Sequence, residues 1–220
     1  MDNSSNTLKK EKENDYTNKI YKGLYENFTI TKDDILGVKI YRYSLTIASI
    51  AINIGLIQLL LFDSKLSLFF LILITLSLGF SVKYIHIYLD PIHKLLWFLW
   101  ISGCIGLTYL ITISGLNELI PSIIDQRYRL LFIGPIFGVL SGIGFKEFFC
   151  FRRIEAIGVT FFTPVSILSY SFNIFNEYIN ILFIVLAAIS SLILAIKKLG
   201  FDFADDIGDK SIFKYLSQKN

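Results

Sequence analysis

The chain has 220 residues, 54% of them hydrophobic and 18% charged, with a mean hydropathy of +0.59 and a formal net charge of +3. Hydropathy this high, with the charges clustered rather than scattered, excludes a soluble domain of ordinary composition and places the chain in a membrane. The two cysteines, Cys104 and Cys150, form neither a disulfide framework nor a CxxC metal or redox pattern.

Residues 1–43 are polar and Lys-rich and show no apolar core followed by a small-residue cleavage site, so no signal peptide is read there. Residues 1–20, rich in Asn, Ser, Lys and Glu, read as disordered. A short extended stretch precedes Thr31. The spacing of Thr31 and Asp34 is that of a capping box, predicting a short helix from about residue 32 that runs into the first span.

Uncharged apolar runs follow at about 44–62, 66–82, 95–114, 130–145, 156–172 and 179–196, each near the ~20 residues that cross a bilayer as a helix. The predicted fold class is all-α: a polytopic integral membrane protein of six transmembrane helices over 44–196, followed by a tail at 197–220. Arg129 and Lys146 flank the shortest run and are expected to snorkel to the interfaces. Eighteen of the 21 Lys and Arg residues fall on one side of this topology, which predicts that both termini are cytoplasmic, or stromal if the membrane is a thylakoid. In the tail, DKSIFKYL is expected to form a short amphipathic turn on the membrane surface.

Gly134, Gly138 and Gly142 recur every four residues and lie on one helical stripe, as helix packing through close backbone approach requires; self-association is the alternative use of such a stripe. Gly103 and Gly106 in the third run offer a facing ridge. Pro164 in the fifth run predicts a kink, with Thr160, Thr163 and Ser166 placed to satisfy the freed carbonyl. No run as drawn contains an ionisable residue, which argues against an ion-coupled transporter.

Titratable groups collect instead in the connections on the positive side. His86, Asp90 and His93 lie between the second and third runs, and Lys146, Glu147, Cys150, Arg152 and Arg153 lie after the fourth. These residues form the candidate cytoplasmic-face site. His86, His93, Glu147 and Cys150 are of metal-ligating type, but their spacing matches no metal signature, so no cofactor is predicted and a metal enters only as a possibility of residue type. Each also has a plainer reading. Asp90 before Pro91 suits a helix cap, the histidines suit an interface, and the arginines suit anionic headgroups.

The stretches YKGLYENFTITKDD, HIYLDPIHKLLW and GFKEFFCFRRIEA together resemble a family of predicted integral membrane proteins of unknown function, found mostly in cyanobacteria and some other bacteria. The resemblance covers about residues 20–200 and includes His93, Gly144, Lys146, Glu147, Phe149 and Cys150. It implies a bacterial inner or thylakoid membrane and supplies no catalytic residue. The leading functional reading is a non-enzymatic protein that assists assembly, stability or regulation of a membrane complex, with the bilayer, another membrane protein or a second copy as partners. The alternatives are a channel or uncoupled carrier for a small neutral solute, and a membrane enzyme using the positive-side His, Glu and Cys residues. Nothing in the charge pattern points to nucleic acid.

Overall fold

The computed structural model describes residues 16–62, 66–212 and 215. Among the described residues a helical stretch at 16–18 is followed by a two-stranded antiparallel hairpin, β1 (Ile20–Lys22) and β2 (Asn27–Thr29), which pairs Tyr21 with Phe28. Helices α1 (Lys32–Leu61), α2 (Ser67–Tyr84) and α3 (Asp90–Ser114) follow. A short α4 (Leu119–Asp125) and a 3-10 turn at 127–129 lead to α5 (Leu130–Phe151), α6 (Ile154–Ser171), α7 (Glu177–Leu199) and the short α8 (Phe203–Ile207). The six longer helices are each long and apolar enough to cross a membrane.

The Thr31–Asp34 box forms: the Thr31 hydroxyl accepts from the Asp34 amide at 3.3 Å, and the Asp34 carboxylate accepts from the Thr31 amide at 2.7 Å. From this cap α1 runs without interruption through the first span. Helices also overrun the apolar runs elsewhere. α5 continues to Phe151 instead of stopping near 145, and α7 to Leu199, because a charge ends an apolar run without ending the helix, Lys and Glu being good helix formers. Asp90 starts α3, but Leu89 is the N-cap and the Asp90 side chain makes no capping bond.

Within the bundle α1 packs on α2 and α7, α5 on α3 and α6, and α6 on α7, while α2 and α3 touch only lightly. One buried cluster runs through all six spans, including Leu45, Leu78, Leu96, Ile136, Ile143, Val159 and Leu194. The glycines lie within these contacts. Gly134 faces Ile167 of α6, while Gly138 and Gly142 face Leu99 and Leu96 of α3. The closest backbone approach belongs to the α3 glycines, since a Cβ at Gly103 would stand 2.8 Å from the Ile136 nitrogen and one at Gly106 would collide with the Phe132 carbonyl.

α6 is a single helix through Pro164. The carbonyl that Pro164 leaves without its helical donor belongs to Thr160, four residues earlier. Its donor is the Ser141 hydroxyl of α5, at 2.8 Å, and not the Thr and Ser side chains of α6 that the local sequence suggested. Those bond elsewhere: Thr160 to the Ala156 carbonyl and Ser166 to that of Thr163. Ser141→Ala is therefore expected to destabilise the detergent-solubilised protein by about 1–2 kcal/mol, seen as a lower unfolding temperature. An unchanged temperature would mean that the Thr160 carbonyl finds another donor.

The first and last described segments fold together over one end of the bundle. Ile30, Ile35, Val38 and Ile207 form a second buried cluster, flanked by Tyr16, Tyr21, Phe28, Phe203 and Ala204. Leu24 and Tyr25 of the hairpin donate their amides to the Asp209 carboxylate and the Ser211 hydroxyl, and Lys210 pairs with Asp34 at 2.6 Å. Residues 209–212 thus close on the hairpin and the start of α1, with a helical turn at 210–212. The expected disorder at 1–20 falls mostly outside the described residues, as do 213, 214 and 216 of the tail segment.

A buried charge cluster at the terminal end of the bundle

Four helices bring their charges to one point beneath this cap. Glu147, on the last turns of α5, is fully buried. Its Oε1 accepts from the Tyr41 phenol of α1 at 2.8 Å and from Lys146 at 3.0 Å, and its Oε2 from Lys198 of α7 at 2.6 Å. Lys198, also fully buried, bridges to Asp206 of α8. Asp206 in turn receives Arg42 of α1, whose Nε and second terminal nitrogen stand 2.7 and 2.6 Å from Oδ2. Arg42 is completed by the carbonyls of Phe201 and Asp202, both at 2.8 Å.

Aromatic rings close the sides. The Phe151 ring lies 4.2 Å from the Lys198 ammonium and 4.6 Å from that of Lys146, and Phe203 stacks 4.7 Å from the Arg42 guanidinium. Three cations and two carboxylates leave one net positive charge in a region shielded from water. Separating any member from its partners leaves a charge without solvation, which makes the cluster rigid and its composition energetically strict.

The apolar runs hold no Lys, Arg, Asp or Glu, but the helices that carry them extend beyond the runs and include Arg42, Lys146, Glu147 and Lys198. Lys146 was expected to snorkel and instead is only 4% exposed, because Glu147, Tyr41 and Phe151 surround its ammonium. Of the eight site residues named from sequence, Lys146 and Glu147 join the hydrogen-bonded cluster and the other six are not bonded into it, although His86 and Cys150 lie close enough to feel its charges. Cys150 is exposed, and Asp90 and Arg152 lie at the surface, Arg152 in a left-handed turn with φ 52°. Arg153 lies 4.2 Å over the Phe201 ring and 3.4 Å from Glu155. His93 bonds the Val82 carbonyl through Nε2 at 2.9 Å. His86 is half-buried in the α2–α3 connection, where burial holds its imidazole below the ordinary pKa. Among the described residues no three His, Cys, Asp or Glu side chains converge to hold a metal ion.

A second polar level lies deeper. Ser49 is eight residues along α1 from Tyr41, about 12 Å at the helical rise. The Asn53 amide donates to the Ala188 carbonyl of α7 at 2.8 Å, and the Ser191 hydroxyl bonds the same carbonyl at 2.7 Å. Ser49 Oγ of α1 and Thr163 Oγ1 of α6 are buried without a hydrogen-bond partner among the described residues, as are Asn180 Oδ1 and Ser171 Oγ near the opposite ends of α7 and α6. Buried polar atoms in that condition are ordinarily satisfied by water or a polar solute. Leu45 and Leu194, both buried, separate this level from the charge cluster.

A model of the family described as "Uncharacterized integral membrane protein (DUF2301)" matches residues 80–215. The chain belongs to this family. Comparison with curated proteins and with solved structures finds no match. The DUF2301 match takes in Lys146, Glu147, Lys198 and Asp206, whereas Tyr41 and Arg42 come from α1, outside the matched residues. It agrees with the resemblance drawn from GFKEFFCFRR, the stretch in which Lys146 and Glu147 stand. What this DUF2301 protein shows as a whole is an integral membrane bundle of six spans with a dry, charged junction at the end that carries its termini.

Proposed function

We propose that the protein is a carrier for a small polar solute, with its passage along α7, on which α1 and α6 both pack. The observation that carries this reading is the succession of polar levels along α7 and its neighbours. At one end Lys198 of α7 pairs with Glu147 of α5; deeper lie Ser191 of α7 with Ser49 and Asn53 of α1; toward the far end is Asn180 of α7, and α6 adds the buried Thr163 and Ser171. Ionisable and unpartnered polar side chains inside a membrane bundle are costly and mark solute or ion pathways in general. The apolar layer of Leu45 and Leu194 between the levels is suited to a gate, since an apolar constriction holds back water until the helices move.

The test is solute entry into vesicles reconstituted with the purified protein, followed by light scattering after gradients of glycerol, urea or sodium nitrate. Entry of at least one of these is expected to exceed that of protein-free vesicles, and Ser191→Leu, which fills the deeper level, is expected to abolish the excess. Rates equal to those of empty vesicles for all three probes would remove the carrier reading. They would return the protein to the other reading, attachment to a larger membrane complex. That reading is favoured by an open groove of about 450 Å³ on the outer face of α3, lined by Trp100, Cys104, Ile105, Thr108, Tyr109 and Thr112.

A further inference from the structure

Asp206 is the one carboxylate of the cluster that the six spans do not supply. Without it the bundle presents Arg42, Lys146 and Lys198 around the single carboxylate of Glu147, an excess of two positive charges enclosed by Tyr41, Phe151 and Phe201. Such an excess in a dehydrated place requires an anion. The structure supplies one from α8, a helix of five residues bounded by Asp202 and by Gly208, whose φ of 70° turns the chain away. The Asp206 carboxylate enters between a guanidinium on one oxygen and an ammonium on the other, 4% exposed. That pairing of donors is the one by which proteins hold free carboxylates and related oxyanions.

We infer that the bundle contains a binding site for a small carboxylate, built by Arg42 and Lys198, and that Asp206 occupies it as an internal ligand. α8 is then a plug on an anion site rather than a passive extension of α7. The arrangement of partners separates the two sides of this contact. Arg42 and Lys198 keep partners when the Asp206 side chain alone is removed, Arg42 in the Phe201 and Asp202 carbonyls that lead into α8 and Lys198 in Glu147, so the site keeps its donors while α8 stays in place. α8 is held by the packing of Ile207 and Phe203 in the cap cluster as well as by its charge. The inference goes beyond solute passage, and its test is made in detergent without vesicles, so either can fail alone.

The experiment is thermal unfolding of Asp206→Ala in sodium formate against sodium chloride at equal ionic strength. Removing the side-chain carboxyl leaves room for one formate ion. The variant is expected to unfold at lower temperature than the parent chain in chloride. Formate should restore about 4 °C at ten times its half-saturating concentration, and the effect should saturate. The parent chain and Asp206→Asn, in which the space is filled, should not respond. The Arg42→Gln, Asp206→Ala double variant should lose the response. If Asp206→Ala is recovered folded only when formate is present during extraction, that is the same result in another form. Asp206→Ser, which keeps a small polar group toward Lys198, is run in parallel and should show the same formate response. Equal shifts in chloride, a response in the parent chain, or no response in either single variant would each reduce Asp206 to a structural clamp and overturn the inference.

Discussion

Glu147→Ala is expected to lower the unfolding temperature of the detergent-solubilised protein by roughly 10 °C, the largest effect of any single truncation in the terminal end of the bundle. The carboxylate is fully buried and accepts from Tyr41, Lys146 and Lys198. Its removal leaves two ammonium groups beside the Phe151 ring with Asp206 as the remaining nearby carboxylate. Breaking one side of a buried ion pair costs about 3–5 kcal/mol, because the stranded charge has lost both its partner and water. The sign of a second experiment separates that cause from lost packing. Glu147→Leu combined with Lys146→Met and Lys198→Met replaces the carboxylate and both ammonium groups that it holds by apolar groups, leaves Arg42 paired with Asp206, and should recover most of the loss, since apolar groups need no compensation. A triple variant as unstable as Glu147→Ala would show that shape, and not charge, sets the cost.

The second large effect is expected at Gly106. The α3 backbone lies so close to α5 here that a single added carbon meets the Phe132 carbonyl, a backbone atom that cannot rotate aside. Gly106→Ala should cost about 1–3 kcal/mol, and Gly106→Val more, through separation of α3 from α5. Gly138 on α5 belongs to the stripe that dominates the sequence pattern, yet a Cβ there would stand 3.5 Å from Leu99, an ordinary contact. Gly138→Ala should therefore be tolerated. Unfolding temperatures of the two alanine variants measured side by side decide the matter: equal losses would mean that the α3–α5 crossing is not where the bundle is tightest.

The contrast between these glycines shows what a one-dimensional pattern carries. The four-residue repeat of Gly134, Gly138 and Gly142 identifies a face that packs, because periodicity along one helix reports which side is smooth. It does not report the distance to the neighbour. That depends on the facing helix, and the tightest approach falls on Gly103 and Gly106, a shorter pattern in another span. The same limit applies at Pro164. The orphan Thr160 carbonyl follows from the covalent structure of proline, but its donor, Ser141, lies on a different helix and is invisible to local reading.

The charge cluster is intermediate. Lys198 falls on the same face of α7 as Asn180, Ala187, Ser191 and Ala195, all buried, whereas Lys197 next to it is 58% exposed at its side chain. Glu147 likewise continues the buried positions Leu140, Ile143 and Gly144 of α5. Helical register could have separated these residues from their solvated neighbours had the apolar runs been extended by one turn. Arg42 likewise continues the buried positions Ile35, Val38, Leu45 and Ser49 of α1. Asp206 carried no such signal, because its burial depends on α8 folding back onto α1.

Six spans, their order, the capped start of α1 and membership of a membrane class were determined by the sequence alone, because hydrophobic run length and capping chemistry act within a few consecutive residues. The joining of Arg42, Lys146, Glu147, Lys198 and Asp206 into one dry cluster was decided only by the tertiary structure. These residues are separated by up to 164 positions, and a charge is buried or solvated according to what other helices place against it.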